Sequence, residues 1–243
     1  MGILLDNAST EYLYVNDPPV TAAPFTWTCW FNSDQDDLHQ ILLFLGDKDD
    51  DDDYWFFRLS GATGGDPLIH LVKKAGFAGA TTTTGFTAGK WHFAAGVEVA
   101  ANSRKAYIDG GSVGSDANNL TPNAGEIDRL AIGYKANGNP GSPTSGIIGE
   151  AAIWDAALTA DELLALAAHI WAPRIRPGNL VFYLPMWTVA DLTDLVGGRL
   201  LTAVNTPQTA EHPYIIKPRK TTVWMPSGGA PSGNPYYAYA QQQ

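Results

Sequence analysis

Short runs of β-branched and aromatic residues recur along roughly the first 155 residues of the chain, and clusters of Gly, Asn, Asp, Pro and Ser separate them. Typical runs are PFTWTCWF, HQILLFLG, YWFFRLSG, PLIHLVKK and GKWHFAAGVEVA. Runs of this length between frequent turn residues are typical of antiparallel sandwiches and jelly rolls. The pattern therefore predicts an all-β fold, built as an antiparallel two-sheet sandwich.

One short helix is predicted near residues 159–169. Thr159 is placed as its N-cap, and Glu162 three residues later completes a capping box, in which each side chain bonds the other's backbone N–H. Leu158 and Leu163 flank the cap at the spacing of a hydrophobic staple. We expect this helix to close the sandwich at its surface.

Composition bounds the functions that are open to the chain. Its 243 residues, 45% of them hydrophobic, are enough to bury a substantial core. The formal net charge of −10 argues against a nucleic-acid partner, because phosphate binding needs a surface rich in Lys and Arg. The longest apolar stretch, residues 158–171, contains charged side chains and is too short to span a bilayer, so no membrane association is expected. The N-terminus lacks the basic segment and long apolar run of a signal peptide. The single cysteine, Cys29, is predicted to be a small buried residue.

An acidic run stands out in the segment GDKDDDDDYWFFRLSG, residues 46–61. An EF-hand loop that began at Asp47 or Asp49 would lack the required Gly and the final acidic residue. The run connects two predicted strands over a hairpin-length span, where crowded like charges repel one another and stay solvated. The main prediction is a solvent-facing loop whose charge is dispensable for folding. Calcium binding, with Asp49, Asp51 and Asp53 as candidate ligands, and contact with a basic partner remain open alternatives.

The order of these segments resembles the LamG-like or concanavalin A-like jelly roll over roughly residues 3–172. NASTEYLYVND is similar to its opening strand, GKWHFAAGVEVAANSRKAYIDGG to its central hairpin, and GIIGEAAIWDAALTADEL to its closing strand and helix. The resemblance implies a jelly-roll domain over residues 1–172 and strands over residues 173–216 that complete the sandwich or pack on it. An extended arm rich in Pro, Gly and Tyr would follow over residues 217–243.

The same fold hosts endoglycanases, whose retaining members carry Glu-x-Asp-x-Glu along one strand. Here Glu126 and Asp128 are followed by Leu130, which leaves no third carboxylate to protonate the leaving group. The motifs that many members use for calcium are replaced by Thr-Glu-Tyr at residues 10–12 and Gly-Glu at residues 149–150. A non-enzymatic protein is therefore predicted, with no catalytic residues and no cofactor.

A jelly roll followed by a Pro/Gly/Tyr-rich arm resembles the LamG-like structural proteins of bacteriophages and prophages. This resemblance implies a virion protein, either a capsid decoration or a tail or fibre component, assembled in the bacterial host cytoplasm. Its partners would be other virion proteins and copies of itself. The predicted partner-binding side chains are the large apolar residues of the arm: Trp224, Met225, Tyr236, Tyr237 and Tyr239.

The alternative function is a carbohydrate-binding lectin module, used for adsorption to a host surface. Aromatic side chains can stack on the faces of sugars, while Asn side chains bind hydroxyl groups. The candidate sugar-binding residues are Trp55, Trp187, Asn137 and Asn139.

Overall fold

The computed structural model describes residues 2–217, which form two packed antiparallel sheets. The predicted all-β sandwich with one short helix is confirmed. The arm residues from Trp224 to Tyr239 that were predicted to bind partners lie outside the described residues. The strands are β1 (Gly2–Leu5), β2 (Tyr12–Val15), β3 (Phe25–Ser33), β4 (His39–Gly46), β5 (Tyr54–Ser60), β6 (Pro67–Lys74), β7 (Gly76–Gly85), β8 (His92–Ala100), β9 (Ser103–Ile108), β10 (Gly111–Asp116), β11 (Arg129–Ile132), β12 (Gly146–Trp154), β13 (Leu180–Leu184), β14 (Thr202–Val204) and β15 (Gln208–Ala210).

The two sheets have different strand orders. The eight-stranded sheet runs β10-β9-β8-β3-β12-β1-β15, and β13 also pairs with β12. The seven-stranded sheet runs β14-β2-β11-β4-β5-β6-β7. After the helix, the chain thus adds β14 to an edge of one sheet and β15 to an edge of the other. No helix among residues 2–217 has the length and apolar character needed to cross a bilayer.

The main core lies between the sheets and is rich in aromatic rings. Phe25 makes edge-to-face contacts with Trp27 and Trp55, at centroid distances of 5.5 and 5.2 Å. Trp27 stacks on Phe57, and all four rings are fully buried. Full burial of each such side chain contributes roughly 1.5–3 kcal/mol. Cys29 is buried in the same core, as predicted, and burial raises the pKa of its thiol.

A buried ionic network crosses one end of this core. Arg104 is 1% exposed and donates to both carboxylate oxygens of Glu98, at 3.2 and 3.3 Å, and also to Asp116. Its remaining donors reach the backbone carbonyls of Ala101, Asn118 and Leu120. Because every donor has an acceptor, the charge is tolerated inside the protein. The network ties β8, β9 and the chain after β10 together.

Helix α1 (Ala160–Ala167) packs on the outer face of the eight-stranded sheet. The predicted capping box is confirmed, because the Thr159 hydroxyl accepts from the Glu162 backbone N–H and the Glu162 carboxylate accepts from the Thr159 backbone N–H. Leu163 and Leu166 are its buried residues. Within residues 2–217, no α-helix covers the opposite face of the sandwich, on the seven-stranded sheet.

Candidate functional site

The outer face of the seven-stranded sheet carries a band of aromatic residues. Side chains alternate between the two faces of a strand, so Tyr54, Phe56 and Arg58 of β5 point outward while the residues between them enter the core. Antiparallel register places a row of outward residues directly opposite one another on five strands: Tyr14, Ala131, Phe44, Phe56 and Leu71. Most of this row is buried beneath its neighbours on the outer face, since Ala131 and Phe44 have no exposed surface and Phe56 is 5% exposed.

A pocket of about 440 Å³ opens on this face. The sheet supplies its apolar lining through Ile41, Phe56 and Leu71, and its aromatic walls through Tyr54 and Phe77. The polar lining comes from two loops, one connecting β4 to β5 and one connecting β11 to β12, and from strand β5. The polar lining residues are Asp51, Arg58, Lys135, Asn139 and Ser142.

The aromatic walls combine exposed ring surface with nearby positive charge. Phe77 is 65% exposed, although it is a large apolar side chain. Lys73 Nζ lies 5.4 Å from the centroid of Phe77 and 5.6 Å from that of Tyr54, and Lys135 Nζ lies 5.8 Å from the Tyr54 centroid. Burial, together with the neighbouring Asp51 charge, raises the pKa of the Tyr54 phenol. Tyr54 is therefore a neutral hydroxyl that can donate a hydrogen bond to a ligand.

Asp51 organises the rim of the pocket. Its carboxylate accepts from Lys73 Nζ at 2.8 Å, Lys135 Nζ at 3.0 Å, Asn139 Nδ2 at 3.2 Å and Asn137 Nδ2 at 3.3 Å. Burial alone would raise the pKa of Asp51, but the hydrogen bonds from Lys73, Lys135 and Asn139 lower it well below its usual range. The prediction that the acidic run is a plain solvated loop is wrong for this residue, because it links both loops to the sheet.

The three aspartates proposed as calcium ligands do not share a site. Asp49 pairs with the neighbouring Lys48, Asp51 faces the pocket, and Asp53 accepts from the backbone and side-chain nitrogens of Asn123 at 2.6 and 3.1 Å. Each therefore bonds to different groups of the chain, so the three do not form the common ligand set that the calcium alternative requires.

A second acidic grouping, Asp47, Asp49 and Asp128, brings one oxygen from each residue within 4.8 Å of the others. Lys48 forms ion pairs with two of these carboxylates, including one at 2.9 Å with Asp128. The Lys48 ammonium group thus offsets part of the negative charge that would attract a metal ion.

The candidate sugar-binding residues fall in different environments. Trp55 has no exposed surface and belongs to the core between the sheets, so its assignment to a sugar site is wrong. Trp187 does not line the pocket, and Lys217 Nζ lies 4.0 Å from its ring centroid. Asn137 is 7% exposed and holds Asp51, and its side-chain oxygen accepts from the Asn139 backbone at 3.1 Å. Asn139 is the one of the four that lines the pocket.

The sequence interpretation missed Tyr54, Phe56, Arg58 and Phe77 as site residues. The signal that could have found three of them is the alternation in YWFFRLS, which puts Tyr54, Phe56 and Arg58 on one face of the strand. Both faces of this strand are aromatic, so the alternation does not itself say which face is the core.

The fold agrees with the family to which the chain belongs. It is a member of the concanavalin A-like lectin/glucanases superfamily, and the Laminin_G_3 family model matches residues 7–164. No curated protein matches the chain significantly in sequence.

Solved structures with the same fold include several from carbohydrate-active proteins. Domain 4 of AbnA, a GH43 extracellular arabinanase from Geobacillus stearothermophilus in complex with arabinotriose, is 24% identical with a TM-score of 0.51, over 63% of this chain and 71% of that one. The CBM40 of the Ruminococcus gnavus IT-sialidase, bound to α2,3-sialyllactose, is 13% identical with a TM-score of 0.53, over 61% and 84%. A Bacteroides ovatus protein described as a candidate carbohydrate-binding protein is 19% identical with a TM-score of 0.60, over 89% and 61%. At these identities the likeness establishes the fold.

Proposed function

We propose that this protein is a carbohydrate-binding module and that the pocket on the outer face of its seven-stranded sheet is the binding site. The observation that carries the proposal is the pocket itself, in which the exposed ring of Phe77 stands beside side chains that bond hydroxyl groups. Its volume of about 440 Å³ lies within the range of roughly 300–1,000 Å³ typical of ligand sites. The sugar-bound structures with the same fold support a glycan as the class of ligand.

The lining suits the two kinds of surface that a sugar presents. The C–H face of a pyranose ring is apolar, and Phe77 offers an open ring against which it can stack. The hydroxyl groups need donors and acceptors, which Tyr54, Asn139 and Ser142 supply at the pocket lining. Because Asp51 accepts hydrogen bonds from Asn139 and from the neighbouring Lys135, the Asn139 side chain is largely positioned before the ligand arrives.

We also propose that binding is not followed by hydrolysis. Glycoside hydrolysis needs two carboxyl groups that flank the scissile bond, one of them a proton donor. Among residues 2–217, Asp51 is the one carboxylate that lines the pocket. Its lysine partners keep its pKa below the usual range, so it is ionised at neutral pH and has no proton to donate.

The virion assignment stays a prediction, because its proposed contacts lie in residues 218–243, outside the described part of the chain. A sugar-binding module is compatible with it, since adsorption to a host surface is one use of such a module.

Glycan-array binding followed by calorimetric titration of the strongest ligand tests the proposed function. Phe77→Ala should weaken binding about 2- to 12-fold, the effect of losing one aromatic contact worth roughly 0.5–1.5 kcal/mol. Tyr214→Ala is the matched control, because Tyr214 is 72% exposed but does not line the pocket. Absence of any glycan binding by the unmodified chain, or an equal loss in both variants, would refute the proposal.

A further inference from the structure

Arg58 stands at the apolar end of the pocket with no acidic neighbour on its strand pairs. It lies directly opposite Ile41 on β4 and Ile69 on β6. Its guanidinium carbon is 5.4 Å from the centroid of the Phe56 ring, so the charged group makes a cation–π contact with that ring. The register of three strands therefore places a cation among apolar side chains, where charge is costly unless it is paired.

Most of the hydrogen-bonding capacity of Arg58 is unused by the protein. A guanidinium has five N–H donors. Its Nε donates to Ser60 Oγ at 3.1 Å, and among residues 2–217 the terminal nitrogens of Arg58 form neither an ion pair nor a hydrogen bond. The other arginines that are at least partly buried each donate from a terminal nitrogen to an oxygen atom of the chain: Arg104, Arg129, Arg176 and Arg199.

The other cations of the pocket are already neutralised. Lys73 pairs with Asp51 and Asp52, and Lys135 pairs with Asp51. Burial lowers the pKa of Arg58, while the nearby Tyr54 acts in the opposite direction. A guanidinium still remains charged at neutral pH. Arg58 is thus the uncompensated positive charge of a pocket in a chain whose overall charge is −10.

We propose that the pocket binds an acidic sugar, and that Arg58 forms a two-pronged hydrogen-bonded pair with the anionic group of that sugar. This inference rests on the proposed carbohydrate-binding function and names the ligand class. The planar fork of a guanidinium matches the two oxygens of a carboxylate or of a sulfate ester, so both kinds of acidic sugar share the required chemistry. The sugar ring itself would lie toward Tyr54 and Phe77, which line the same pocket.

Matched pairs of acidic and neutral probes test this inference without any variant. Calorimetric titrations would compare trigalacturonate with galactotriose, its carboxyl-reduced counterpart, and 3′-sulfolactose with lactose. We expect at least one acidic probe to bind roughly tenfold or more tightly than its neutral partner, because a hydrogen-bonded ion pair is added. The pair that shows the larger difference identifies carboxylate or sulfate as the preferred group.

Two variants assign the preference to Arg58. Arg58→Gln should abolish the preference for the acidic over the neutral probe, and Arg58→Lys should restore part of that preference through charge without the planar fork. Arg174→Gln, at an exposed arginine that does not line the pocket, should leave the preference intact.

Equal affinity for acidic and neutral probes in the unmodified chain would overturn this inference and leave the proposed function standing. Failure of every probe and of the glycan array to bind would overturn both. Retention of the preference in Arg58→Gln would also overturn the inference, because the charge would then be recognised elsewhere.

Discussion

Replacing Asp51 with Asn is expected to destabilise the protein although the residue lies in an acidic surface loop. The substitution keeps the size of the side chain and removes its ion pairs with Lys73 at 2.8 Å and Lys135 at 3.0 Å. Exposed ion pairs contribute about 0.2–1 kcal/mol each. Both lysine side chains are at most 16% exposed, which places these pairs toward the upper end of that range. The expected loss is roughly 1–2 kcal/mol, or about 2–8 °C in melting temperature for a domain of this size.

The pH dependence of this loss follows from the lowered pKa of Asp51. Burial would raise that pKa, but the hydrogen bonds from Lys73, Lys135 and Asn139 lower it further than burial raises it. A carboxyl group with a lowered folded-state pKa contributes its full stability above its unfolded pKa of about 3.9 and loses it as the pH falls through the folded value. The difference in the free energy of unfolding between the unmodified chain and Asp51→Asn should therefore be constant near pH 7 and become smaller below about pH 4. High salt should also make this difference smaller, because it screens the ion pairs.

Thermal and urea unfolding at pH 7 measure the effect, with Asp50→Asn as the matched control. The Asp50 side chain is exposed and accepts from the adjacent Asp51 backbone N–H, without an ion pair among the described residues. We expect the control to change the free energy of unfolding by less than about 0.5 kcal/mol. Equal effects of the two substitutions, or a gain in stability from Asp51→Asn, would show that the loop charges are merely solvated and that the ion pairs do not organise the rim.

Three further predictions concern the scaffold. Thr159→Ala should lower the free energy of unfolding by about 1 kcal/mol because it removes the N-cap of α1, and an unchanged urea midpoint would contradict this. Cys29 should resist thiol reagents in the native protein and react only on unfolding, because it is fully buried; rapid native labelling would be inconsistent with its position. Gly114→Ala should cost roughly 1–3 kcal/mol in thermal melts, because its new Cβ would lie 1.9 Å from the Thr81 carbonyl oxygen. Gly111→Ala, with open space around its Cβ, is the control, and equal melting temperatures would count against the packing of β10 on β7.

The sequence was informative where local chemistry decides the structure. The capping box of Thr159 and Glu162 involves neighbours in sequence, so the helix and its first turn could be predicted. Strands such as β3, β4, β5 and β6 could be predicted because each is a short apolar run between turn residues, whereas β7 and β10 are rich in Gly, Thr and Ser and carry no such run. The assignment of Trp55 to a sugar site failed because both faces of β5 are aromatic, and only the packing of the two sheets decides which face is buried.

The candidate site could not be predicted because long-range register creates it. Asp51 forms ion pairs with Lys73, 22 residues away in the sequence, and with Lys135, 84 residues away. No local sequence pattern predicts such pairs. Among residues 2–217, Arg58 forms no ion pair, because two separate strand registers place Ile41 and Ile69 beside it. Whether an acidic side chain or an arginine is paired or unpaired is decided only when segments that are distant in sequence pack against one another.

Nuclear magnetic resonance shift mapping during titration with a bound glycan tests the central claim most directly. Binding at the proposed site should shift the signals of residues that line the pocket, including Tyr54, Phe56, Arg58 and Phe77, with saturable dependence on sugar concentration. Signals from α1 and from the outer face of the eight-stranded sheet should stay in place. Saturable shifts confined to that opposite face, with the pocket signals unmoved, would contradict the account.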